Sequence, residues 1–178
     1  MQPRFSRLIA STFVTLAILV ALEIATSALL PALGWREYRL AFNVVIILFM
    51  ALKVSTPFLP WFVLSLQFVH AAFSMEGWAL GTLVGILVSL LASYLKEFLQ
   101  FSSAITTMIT VQIFQLVWYL LTVSVICLKL GSFENFGLLF GNAFPSTFLL
   151  SILSPFIFKL LDRVWAVEFE VGRSGVEI

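Results

Sequence analysis

The chain has 178 residues, 61 % of them hydrophobic and 11 % charged, with a net charge of +1 and a mean hydropathy of +1.10. A soluble domain averages about 25 % charged residues, so this composition describes an integral membrane protein with no room for a large soluble domain. The balanced charge excludes a basic surface for nucleic acid, and the single cysteine, Cys127, excludes an internal disulfide or a thiolate metal cluster.

Six apolar segments follow one another. The first, 8–30, is preceded by Arg4 and Arg7. It has the make-up of a signal peptide and is read as an uncleaved first span. The second, 40–52, rises only ~20 Å as a helix, and Tyr38, Arg39 and Lys53 must carry it into the interfaces. The third, 58–73, opens with Pro57, Pro60 and Trp61, which suit a first turn at a membrane interface. The fourth, 76–94, ends before Lys96, Glu97 and Gln100. The fifth is 104–128. The sixth, 136–161, contains Pro145 and Pro155 and should be bent or broken, with Pro145 one candidate point. The expected fold is an all-α, compact bundle of six transmembrane helices over residues 1–163, with a cytoplasmic tail at 164–178.

Orientation follows from Lys and Arg near the span ends. With the N-terminus inside, the inner side receives Arg4, Arg7, Lys53, Lys96, Lys159, Arg163 and Arg173, and the outer side Arg36, Arg39 and Lys129. This places both termini in the cytoplasm. In the tail, Trp165, Val167, Phe169 and Val171 alternate with Ala166, Glu168 and Glu170. Such a pattern fits a half-buried strand, which either adds to a partner's sheet or lies at the interface.

The fourth segment carries a row of small residues at every fourth position: Gly77, Gly81, Gly85, Ser89 and Ser93. Small-xxx-small stripes let membrane helices approach closely. The row serves packing within the chain or contact with a second protein. It drifts roughly 40° around the helix per step, so it can meet more than one neighbour. Ala17, Ala21 and Ala25 form a shorter stripe on the first segment.

Four polar residues fall at membrane depth. Glu23, in the first segment, costs about 2.5–3.5 kcal/mol to insert on translocation scales; it must be neutralised, paired, or close enough to the interface to snorkel. His70 lies in the third segment, one turn after Gln67 and shortly before Glu76. No orienting group or oxyanion site accompanies it, which argues against catalysis. Gln112 and Gln115 share a face of the fifth segment and suit hydrogen bonds between helices. No catalytic residue, cofactor site or metal site is expected.

The stretches VHAAFSMEGWALG and SLLASYL, together with NAFPSTFLLSILSPFIFKLLDRV, resemble the rod shape-determining protein MreD family. Pro145, Ser146, Pro155, Phe158, Leu160, Leu161 and Arg163 carry the likeness in the last segment. His70 stands where the family usually has an aspartate, and Arg39-Leu40 replaces its Arg-Pro. The resemblance implies a non-enzymatic subunit of the bacterial cell-wall elongation machinery in the cytoplasmic (inner) membrane. Its partner would be an MreC-like single-span protein, leading indirectly to MreB filaments, RodA and a class B penicillin-binding protein. The family's fold is similar to that of substrate-binding subunits of energy-coupling-factor vitamin transporters, which supplies the alternative.

Overall fold

The computed structural model describes residues 2–32, 34, 40–54, 58–74, 77–96 and 103–173, without the side chains of 2–7, 54, 142 and 166–173. The described residues form six helices and no strand: α1 (Gln2–Ala32), α2 (Phe42–Phe49), α3 (Leu59–Ala71), α4 (Trp78–Leu95), α5 (Ala104–Leu130) and α6 (Phe136–Arg173). Pro57, Arg36, Arg39 and Glu76 lie outside them. Four stretches are long and apolar enough to cross a membrane: Leu8–Ala32, Trp78–Leu95, Ala104–Leu130 and Phe136–Trp165. The protein is therefore a helical, multi-pass membrane protein. The helices expected from the second and third segments are present but short, as Phe42–Lys53 and Leu59–Ala71. The 13 residues of α3 rise about 20 Å against a core of about 30 Å.

α2 is the hub. Its sequence, FNVVIILF, is apolar on every side but for Asn43, and all eight residues are buried. A helix that is hydrophobic all round seeks an interior, and α2 packs against α1, α3, α4, α5 and α6. Other helices, rather than lipid, surround it. It runs on into a π-helical turn, Met50–Val54.

Named contacts give the helix directions. Near one end of the bundle, here the lower, Trp165 of α6 donates Nε1–H to Thr15 Oγ1 at 3.1 Å and meets Phe62 of α3 edge-on, with centroids 6.2 Å apart. Higher up, Glu23 of α1 meets His70 of α3. From 15 to 23 and from 62 to 70 each helix advances eight residues, about 12 Å. α1 and α3 therefore run parallel, both upward.

Local chemistry sets the boundaries. Ser103 caps α5 by accepting the Thr106 amide at 3.1 Å. Gly131 closes it in the left-handed region at φ 69°, a conformation that costs glycine little. Gly77 precedes α4 at φ 77°.

Of the bend or break expected in the sixth segment, the break does not occur: α6 is continuous through both prolines. Pro155 lacks the N–H that would bond the Ser151 carbonyl, and Ser154 Oγ donates to that oxygen instead, at 2.7 Å. Hydroxyl rescue of this kind is how membrane helices tolerate proline. The tail is not a strand either, because α6 extends to Arg173. A lone strand has no ladder partner, whereas an existing helix gains one hydrogen bond per residue added. Trp165 is buried in the bundle, so the division expected after residue 163 falls inside a continuous helix.

Candidate functional site

The small-residue row faces the chain's own interior at its centre. Gly81, Gly85 and Ser89 are buried. A Cβ on Gly81 would collide with Gln67 Oε1 of α3. One on Gly85 would lie 2.8 Å from Val63 Cγ1, 3.3 Å from Ile47 Cδ1 and 3.4 Å from the Trp118 ring. The two glycines thus let α4 close on α3, α2 and α5. Neither end of the row belongs to this seam. Gly77 is exposed, outside the helix, with nothing within 4 Å of its would-be Cβ. Ser93 is exposed too, but its hydroxyl reaches the Ala51 carbonyl of the π turn at 3.4 Å. At Gly81 the place that a second helix would take is occupied by Gln67 of the same chain.

Above the seam sits a buried polar group. His70 Nδ1 and Glu23 Oε1 are 2.8 Å apart, joining α3 to α1. One turn below on α3, Gln67 Oε1 accepts from Asn43 Nδ2 of α2 at 3.3 Å. Glu23, His70, Gln67 and Asn43 are each at least nine-tenths buried. Among the described residues, Asn43 Oδ1 and Gln67 Nε2 find no hydrogen-bond partner. Of the open alternatives for Glu23, pairing is the one realised. Asn43 was not among the expected residues; its signal is the single polar side chain in an otherwise apolar run.

Gln112 and Gln115 do not act together. Gln112 bridges α5 to α6, donating to Thr147 Oγ1 at 3.0 Å and accepting from Ser151 Oγ at 2.5 Å. Gln115 is fully buried, and among the described residues neither of its amide atoms finds a partner. In α6, Ser146, Pro155, Phe158 and Leu161 are buried while Pro145, Leu160 and Arg163 are exposed, so the seven residues of the last-segment likeness are divided between the interior and the outer surface of the bundle. At the lower end Lys53 Nζ contacts both carboxylate oxygens of Asp162 at 3.1 Å. This pair joins residues 109 apart and leaves no local sequence signal.

Among the described residues, no three His, Cys, Asp or Glu side chains gather as a metal site. Chemically the arrangement does two things. It ties helices together through polar side chains, and it sets a carboxyl against an imidazole in the buried interior. Comparison with family models, with curated proteins and with solved structures finds no match.

Proposed function

We propose that this protein is a non-enzymatic scaffold subunit of the bacterial cell-wall elongation machinery, resident in the cytoplasmic membrane with both termini inside, and that it binds an MreC-like single-span protein. The MreD-like stretches, above all NAFPSTFLLSILSPFIFKLLDRV at 142–164, carry this reading. Further support comes from the use made of polar side chains at membrane depth. Glu23, His70 and Gln112 each bond a neighbouring helix, as glue between helices requires. Gln67, Val63 and Trp118 line the glycine seam, which favours another face for the partner helix. MreB filaments, RodA and a class B penicillin-binding protein would be reached through that partner.

The test is depletion of the protein in its rod-shaped host together with affinity purification from the membrane fraction. Rounded cells and co-purification of the single-span protein are expected. Cells that stay rod-shaped without the protein would overturn the proposal. Cysteines placed at Ser6 and Ser174 should resist labelling from outside intact cells. A second reading, the substrate-binding subunit of an energy-coupling-factor vitamin transporter, draws on one observation: Ala17, Ala21 and Ala25 are all exposed along α1, a face suited to a transporter's membrane subunit. Binding of a vitamin by the purified protein would favour it.

A further inference from the structure

We propose that Lys159 and Arg163, on the outer face of α6 near its lower end, hold the headgroup of an anionic phospholipid, whose acyl chains lie along the exposed apolar residues above them. The two are the one pair of cations four residues apart among the described side chains, and both are exposed. That spacing sets them on one helix face, about 6 Å apart. Leu153, Phe156 and Leu160 are exposed on the same face, at intervals of three and four residues. The face thus has the pattern of an amphiphile, apolar above and cationic below.

The height of the pair follows from the contacts of α6. Between the Phe49–Phe158 and Lys53–Asp162 contacts, α2 and α6 each advance four residues. The two helices therefore run parallel, and α2 descends from Asn43, beside Gln67, to Lys53. The apolar stretch of α6 ends at Trp165. Arg163 lies two residues, about 3 Å, inside that end, and Lys159 six residues, about 9 Å. From such depths a long cationic side chain on the lipid-facing side snorkels to the phosphate layer.

The charge of the pair is not met within the described part of the chain. Asp162, between the two in sequence, turns toward α2 and gives both carboxylate oxygens to Lys53. Among the described residues, neither Lys159 nor Arg163 has a carboxylate partner. Two cations thus stand uncancelled beside one engaged ion pair. A phosphodiester supplies what they lack, an anion for the ammonium and a two-oxygen acceptor for the guanidinium. A zwitterionic headgroup brings its own cation and leaves the excess in place, whereas a headgroup of net negative charge removes it. Each Lys or Arg near an anionic membrane surface is worth about fivefold in binding.

The test is native mass spectrometry of the full chain in detergent, titrated with phosphatidylglycerol or with phosphatidylcholine of the same acyl chains. The first phosphatidylglycerol should bind at least about fivefold more tightly than the first phosphatidylcholine. Lys159→Gln and Arg163→Gln should each lower that preference about fivefold, and the double variant should abolish it. The charge-keeping exchange of Lys159→Arg with Arg163→Lys should retain it. So should Lys129→Gln, which removes an exposed cation near the other end of α5. Equal affinity for the two lipids, a preference that survives the double variant, or the same loss in Lys129→Gln would overturn the proposal. Displacement of the lipid by inorganic phosphate would overturn it too, by making the patch a site for a bare anion. Should the glutamine variants lose helicity, the discrimination between the two lipids by the parent decides.

Discussion

Gln67 holds its Oε1 in the space that a β-carbon on Gly81 would occupy. The hydrogen that glycine carries in place of a β-carbon leaves room for that oxygen. The same oxygen accepts from Asn43. One glycine thus serves α4 packing and keeps an α2–α3 hydrogen bond in place.

Gly81→Ala and Gly85→Leu should each destabilise the isolated protein, the leucine more. Gln67 can move its side-chain end, but Val63 and Ile47 are held in a full core. Overpacking typically costs about 1–3 kcal/mol, which thermal unfolding in detergent would register. Gly141→Ala is the control. Its would-be Cβ has nothing within 4 Å, and relief from the glycine penalty should stabilise the helix by about 0.5–1 kcal/mol. An unaltered melting temperature for Gly85→Leu would remove the seam.

Gln112→Leu should loosen α6 from α5. It removes two interhelical hydrogen bonds, each of a kind averaging about 0.6 kcal/mol in membranes. Hydrogen exchange at the amides around Thr147 and Ser151 should quicken, while exchange in α3 stays as it was. Changing Gln115 to leucine should cost less or even stabilise, because its amide atoms are unpartnered among the described residues. Equal losses for the two substitutions would contradict this assignment.

The Lys53–Asp162 pair should contribute little. The two side chains are 32 % and 41 % exposed, and a pair so open to water and salt is worth about 0.2–1 kcal/mol. Lys53→Ala should change stability within that range, and less at high salt. The exchange Lys53→Asp with Asp162→Lys should recover what either single change loses. A large, salt-insensitive loss would mean that the pair is shielded from water.

Trp165→Ala should be among the more damaging substitutions, at about 3–5 kcal/mol for an emptied aromatic site. Trp165→Phe should cost far less, by keeping the ring against Phe62 and losing only the bond to Thr15. Cutting the chain after residue 163 should therefore unfold part of the bundle. If that truncated chain melts like the full one, the tail is an appendage after all.

How much the sequence disclosed depends on what each signal encodes. Helix positions were legible because long apolar runs fix them within a few residues. The seam was legible in part. A fourfold row drifts about 40° per step, so Gly81, Gly85 and Ser89 share a buried face while Ser93 has turned outward. Gly77 kept the spacing, yet it precedes the first turn of α4 and has a different task. The alternation from Trp165 to Val171 fitted a strand in pattern, but pattern carries no information on whether a ladder partner exists. Glu23 and His70 were recognisable separately; their pairing across 47 positions was not. Asn43–Gln67 and Lys53–Asp162 are likewise products of the folded arrangement.

The burial of α2 has a consequence for how the protein is made. In order of synthesis α2 follows one of its five neighbours and precedes four. Its Asn43 must wait for Gln67 of α3, its π turn for Ser93 of α4, and Phe49 for Phe158 of α6, whose ring it meets edge-on at 5.4 Å. Until the later helices are inserted, a short segment meant for the interior has only α1, lipid or the insertion machinery around it, and α6 completes its enclosure. Maturation is thus a late event, sealed by α6, and a nascent chain halted before α6 should be far more open to membrane proteases than the finished one.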